Sequence, residues 1–271
     1  MRFQVHSNQT QGLILAFVWF CTLAIFARNT AAQSAKPHPW LAEAPGEFVR
    51  LIDRGNVNIV VDDDRIRKAG KSALTLFQFV VDYDFRFRHQ LLGYDSEANV
   101  WQAKIVAWMD QPEIKLEHTV CVQSNFAPIL PWESKLLRHE FDHVAISTDP
   151  RFLKIVKRSL QQRRQWTGKW TQANAPTEQD VRESVLAAIT AEVQSIEKLM
   201  QSQYDLLDQE SSQGLTVIDS RKEFFERLYT IEGLERCKFD MDNAMRVFVN
   251  SILSSVSNQK EVEVHYLFLS P

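Results

Sequence analysis

Residues 139–143 read His-Glu-Phe-Asp-His, and this spacing limits what the chain can become more than any other feature. On an α-helix, side chains four residues apart stand on one face, one turn apart. The motif therefore sets two imidazoles together with a carboxylate beside them, the donor pattern of a metal-dependent hydrolase. Its surroundings supply the helix. After Pro131, the residues Leu136, Leu137, Phe141, Val144 and Ala145 form one apolar stripe. Ser147-Thr148-Asp149-Pro150 interrupts that stripe, and Phe152, Ile155, Val156 and Leu160 resume it.

The chemistry follows from the residue types. Neutral imidazoles of His139 and His143 suit zinc, which keeps an open position and lowers the pKa of water there toward about 7. Glu140 is the expected general base, taking a proton from the attacking water and handing it to the leaving amine. The bland alternative makes both histidines ordinary helix residues and Glu140 a solvated charge. Asp142 puts an anion inside the motif, facing solvent or bonded to an imidazole.

A catalytic zinc needs a third protein ligand. The expected source is a second long helix, which starts at a capping-box-like Thr177…Asp180 after Pro176. It carries Leu186, Ile189, Val193, Ile196, Met200, Tyr204 and Leu207 at helical spacing and ends in the polar run Asp208 to Gly214. Its acidic candidates are Glu192, Glu197, Asp205 and Asp208, and periodicity does not choose among them. His89, His118 and His265 rank lower because they fall in or beside expected strands.

Ahead of the motif, Val57–Val61, Leu76–Val81 and Lys115–Gln123 are rich in β-branched and aromatic residues and read as strands of an antiparallel sheet. Asp62-Asp63-Asp64 reads as a solvated turn, since three consecutive side chains point in different directions. Arg163-Arg164 reads as a solvated face, followed by a loop around Gly168 to Pro176. Residues Arg221 to Leu228 and Met241 to Leu253 read as short helices, and Glu261 to Leu269 as a strand.

At the N-terminus, Arg2 and His6 precede an apolar run from Gly12 to Ala27 that ends in small residues. This is the pattern of a signal peptide over 1–32, with an uncleaved anchor as the alternative. The Pro-rich stretch 33–46 reads as a linker, and 47–271 as one domain. Secretion or a periplasmic location follows as the expectation. Two cysteines then remain, Cys121 and Cys237, either paired in a disulfide or separate and buried. With 271 residues, 45% hydrophobic, and a formal net charge of -3, the chain has material for a real core and no basic field that would draw nucleic acid.

The segment Ile129-Leu130-Pro131-Trp132, the helix Leu137-Arg138-His139-Glu140-Phe141-Asp142-His143, and Gln203-Tyr204-Asp205 in the later helix resemble a bacterial domain family of unknown function. Its members are labelled predicted secreted zinc-dependent proteases. The resemblance spans about residues 70 to 215. It implies His139 and His143 as metal ligands, Glu140 as the base, and Asp205 as a further site residue. Where the family carries His-Gly, this chain carries Gln213-Gly214, so the family's late histidine has no counterpart.

Together these readings predict an α+β, zincin-like fold, with an N-terminal antiparallel sheet packed on the HExxH helix and a second long helix. The expected activity is that of an exported zinc metallopeptidase acting on a peptide or protein substrate. Its expected site is Glu140 with Zn2+ on His139, His143 and Asp205. The rivals are a catalytically silent binding or envelope-associated protein of the same fold, and a zinc hydrolase acting on a non-peptide amide.

Overall fold

The computed structural model describes residues 4–6, 15–18, 44–126, 131–171 and 173–256. Most of the expected signal peptide and linker lies outside the described residues, as do the expected strand Glu261 to Leu269 and His265. Two short strands, β1 (Gln4–His6) and β2 (Leu15–Val18), are described near the N-terminus. The fold is mixed α/β, and His139 and His143 lie in a helix. The chain divides into two compact units. One comprises Met1–Leu15, Val81–Lys115 and Ile155–Glu197; the other comprises Ala16–Val80, Leu116–Lys154 and Lys198–Pro271.

The second of these carries the motif. After the last residues of β2 it holds α1 (Gly46–Gly55), β3 (Val57–Val61) and α2 (Asp63–Ala69), followed by the first residues of β4 (Ala73–Asp95). It continues with the last residues of β5 (Val100–Val122), then α3 (Lys135–Ser147) and the start of α4 (Pro150–Gln161). The end of α5 (Glu178–Glu210), α6 (Arg221–Leu228), α7 (Ile231–Arg236) and α8 (Asn243–Val256) complete it. The expected antiparallel sheet needs a correction, because β3 pairs with β5 in parallel, from Val57↔His118 to Val61↔Val122. The chain reverses after α2, where Gly70 takes a left-handed φ of 65°, and reverses again between β4 and β5. Two reversals restore the direction of β3.

The three aspartates that open α2 go to three partners. Asp62 caps the helix by accepting from the Arg65 amide, Asp63 accepts from the Ser124 amide, and Asp64 pairs with Arg67. They form no cluster.

α3 is buried on nearly every side from Leu137 to Ser147, so it is a core helix rather than a surface one. Phe141 faces α1, where Phe48 meets it edge-on at 5.0 Å between ring centres and Trp132 closes the group at 5.8 Å. The helix ends where the Thr148 hydroxyl donates to the Val144 carbonyl. Asp149 then starts α4 by accepting from the Arg151 amide. Behind the break, the Tyr229 hydroxyl donates to the Ile146 carbonyl and the Arg151 guanidinium lies over the Tyr229 ring. Cys121 and Cys237 are separate buried thiols, each pushed up to about 11 by burial, so the disulfide alternative is not realised.

In the other unit, β4 and β5 form a hairpin whose turn is held by Asp95, which accepts from the Glu97 and Ala98 amides. β6 (Arg164–Trp170) pairs antiparallel with β5, from Trp101↔Trp170 to Ala107↔Arg164. This strand corrects the expected loop, while Arg163 and Arg164 are exposed, as the solvated-face reading expects. Gly168 acts there as a strand residue, since a Cβ would stand 2.9 Å from Ile105 Cδ1 and closer still to the Trp170 ring. Arg163 lies over Trp108, and Arg164 pairs with Glu192 at 2.6 Å. α5 begins in this unit with the reciprocal cap, Thr177 amide to Asp180 Oδ2 at 2.7 Å and Asp180 amide to Thr177 Oγ1 at 3.2 Å.

Candidate metal centre

Three donors converge between α3 and the end of α5. His139 Nε2 and His143 Nε2 each stand 3.1 Å from Asp208 Oδ1. The set of three ligand atoms lies within 4.8 Å. Both imidazoles are buried, with their rings edge to face at 4.7 Å between centres. Asp208 Oδ1 is buried and makes no hydrogen bond of good geometry among the described residues, although two ring nitrogens stand beside it. Close approach without alignment is what donors aimed at a shared centre produce. Ligand atoms around a tetrahedral ion with bonds of about 2.0–2.1 Å lie about 3.3 Å apart, close to the 3.1 Å of the two His–Asp208 separations.

The tautomer of His139 follows from its neighbour. Ser211 Oγ lies 2.8 Å from the Leu207 carbonyl, which can only accept, so the single hydroxyl proton goes there. The same oxygen accepts from the Gly214 amide at 3.1 Å and lies 3.1 Å from His139 Nδ1. His139 must therefore donate from Nδ1, which leaves the Nε2 lone pair facing Asp208 and the common centre.

The loop after α5 is shaped around this imidazole. Ser212, Gln213 and Gly214 have successive positive φ angles of 49°, 57° and 79°. A Cβ on Gly214 would lie 2.9 Å from Cβ and Cγ of His139. The chain can pass here only as glycine. On the far side of the pair, the Tyr204 ring packs on His143 at 4.5 Å between centres.

Glu140 is buried next to the first histidine. Thr75 Oγ1 stands 2.7 Å from its Oε2, to which it donates, and 3.1 Å from its backbone carbonyl. Its Oε1 makes no hydrogen bond among the described residues. Asp208 is held from behind by Lys71, whose Nζ donates to Oδ2 at 2.7 Å. Burial works against the Asp208 charge, yet its carboxyl is held well below the usual carboxylate range, with the Lys71 ammonium at Oδ2 among the groups that favour the charged form. Asp142 faces neither imidazole nor open solvent: Arg221 of α6 forms a mostly buried ion pair with it.

Of the expected site residues, His139, Glu140 and His143 lie on one helix and the two histidines share a centre with Asp208. Asp205 is not brought there. It is exposed and accepts from the Gln201 side chain at 2.9 Å. The helix itself explains the exchange. Asp208 follows the buried Tyr204 by one turn and so shares its face, whereas Asp205, the next residue along, is rotated by about 100°. Glu192 is engaged by Ser159 and Arg164, and Glu197 is buried, its carboxyl pushed up to about 7 by desolvation. His118 is bonded through Nδ1 to the Gly55 carbonyl and through Nε2 to Ser147, each at 2.6 Å. Lys71, Thr75 and Ser211 carry no motif, whereas Gly214 belongs to the Gln213-Gly214 pair where the resembled family carries His-Gly. The shared face of α5 is the one sequence signal that favours Asp208.

Comparison with protein-family models, curated proteins and solved structures returns no match for the chain.

Proposed function

We propose that this chain is an exported zinc-dependent peptidase whose metal is held by His139, His143 and Asp208. One observation carries the reading: two imidazole nitrogens and a buried carboxylate oxygen without a hydrogen bond converge beside a buried glutamate. Two nitrogens and one oxygen suit zinc in a catalytic site, which keeps three protein ligands and an open position. A zinc ion there supplies Lewis acidity, enough to polarise an amide carbonyl and make hydroxide available near neutral pH.

The chain's own residues supply the rest. Glu140 accepts the proton of the attacking water, with Oε1 as the oxygen not already engaged by Thr75, and returns it to the leaving nitrogen. Ser211 keeps His139 in the tautomer that offers Nε2. Gly214 allows the post-helix loop to lie against that ring. The zincin-like character of the fold and the resemblance to secreted zinc proteases belong to this proposal. Export rests on the charged, apolar and small-residue pattern of 1–32. The catalytically silent alternative rests on Gln213 in place of the family's late histidine, and the approach of Asp208 to both imidazoles supports the peptidase reading over it.

The test is peptide hydrolysis by the zinc-loaded protein and its Glu140→Gln variant. Glu140→Gln is expected to bind zinc and keep its fold while turnover falls by about a hundredfold or more, the scale of lost general-base catalysis. Equal turnover in the two proteins overturns the assignment of Glu140. A folded wild-type protein that binds no zinc overturns the peptidase reading itself.

A further inference from the structure

The outer contacts of the three ligands are unequal. His139 is fixed through Nδ1 by Ser211, and Asp208 is fixed through Oδ2 by Lys71, but His143 Nδ1 has no partner among the described residues. Lys71 is the only one of these partners that carries a charge. It follows Gly70, whose left-handed φ of 65° ends α2 and turns the chain toward β4, and it reaches Asp208 across 137 residues of sequence. Both side chains are mostly buried, at 24% and 19% exposure. This ion pair is therefore well removed from the screening that makes surface pairs weak.

Resting on the metal-site reading above, we propose that Lys71 is a positioning residue that holds Asp208 as a one-oxygen ligand and thereby sets the coordination number of the metal. The argument is geometric. A carboxylate has two oxygens and can bind a metal through one or both. At Asp208, Oδ2 accepts a charge-assisted hydrogen bond at 2.7 Å, while Oδ1 stands 3.1 Å from both imidazole nitrogens. Swinging Oδ2 onto the metal would break the contact to Nζ in a place where the ammonium is mostly shielded from water. Lys71 thus keeps one coordination position for water and substrate instead of the second carboxylate oxygen. The same segment supplies Thr75 to Glu140, so residues 71–75 hold both carboxylates of the site from behind.

The experiment compares the full chain with Lys71→Met and Lys71→Arg by zinc competition titration and by the visible absorption of the Co2+-loaded proteins. Lys71→Met is expected to keep its fold and bind zinc about 10–100-fold more weakly, the usual scale for losing an outer partner of a metal ligand. Its Co2+ band is expected to weaken and shift as in a higher coordination number. Lys71→Arg, which keeps a charged donor, is expected to restore most of the affinity and the wild-type band. A Lys71→Met protein with zinc affinity within about twofold of wild type and an unchanged Co2+ spectrum overturns the role of Lys71 and leaves the metal site standing. A wild-type protein that takes up neither Zn2+ nor Co2+ overturns the metal site and this inference together.

Discussion

Thr75 gives its hydroxyl proton to Glu140 Oε2 at 2.7 Å, tying the start of β4 to the middle of α3 inside the core. Replacing a hydroxyl by a methyl of the same shape leaves a buried carboxylate short of one hydrogen bond, a loss of about 1.5–3 kcal/mol when the acceptor is charged. Thr75→Val is therefore expected to lower stability by that amount in urea titrations and to reduce kcat about tenfold with little change in KM, because the base loses its fixed orientation. Thr75→Ser should restore both. A Thr75→Val protein of wild-type stability and kcat would show that the bond is dispensable.

Gly214 is required by contact as well as by conformation. Its φ of 79° and the 2.9 Å separation that any Cβ there would have from His139 both oppose a side chain. Gly214→Ala is expected to lose at least about 1 kcal/mol of stability from backbone strain. It should also weaken zinc binding by displacing His139. Thermal unfolding with and without zinc separates the two effects: the stabilisation added by zinc should shrink in the variant. An unchanged increment would confine the role of Gly214 to the backbone.

The Arg221–Asp142 pair gives the acidic residue inside the motif a structural task, joining α6 to α3. Breaking a buried pair costs about 3–5 kcal/mol because one charge is left without its partner. Arg221→Met is expected to show a loss of that order by chemical denaturation, and Arg221→Met combined with Asp142→Leu should recover most of it. Additive losses in the double variant would contradict the pairing.

His118 is buried between the Gly55 carbonyl and Ser147 Oγ, and burial lowers its pKa from 6.5 to about 4. The unfolded chain takes up a proton as pH falls below about 6.5, whereas the folded protein does not until about 4. Its contribution is therefore fully present above pH 6.5 and is lost on acidification to about pH 4, roughly 3 kcal/mol in all. Denaturation of the metal-free protein across this range should show wild type losing more stability than His118→Gln. Parallel curves would rule out His118 as a source of acid sensitivity.

How much of this is legible in the sequence depends on whether a feature is local. The α3 helix, its break at Asp149, strand β3, the capping box of α5 and helix α6 all rest on neighbours within a few residues, and each can be read from spacing or turn chemistry. β6 is obscured because Gly168 and the paired arginines look like a solvated loop. Its partners Trp101 to Ala107 lie more than fifty residues away. The parallel pairing of β3 with β5 likewise depends on two chain reversals that periodicity does not encode. At the site, the two histidines and Glu140 are local, but the third donor is set by which face of α5 turns inward. Resemblance favours Asp205, whereas the buried run through Met200, Tyr204, Leu207 and Ser211 puts Asp208 on the inner face. Lys71, Thr75 and Ser211 are joined to the motif only by folding, and no residue pattern announces them.

The most direct test of the central claim is the zinc content of the purified protein measured beside Asp208→Ala and Asp205→Ala. About one zinc per chain in wild type and in Asp205→Ala, with loss of the metal in Asp208→Ala, is the expected result. A folded wild-type protein without zinc, or zinc that survives Asp208→Ala and disappears in Asp205→Ala, would contradict it.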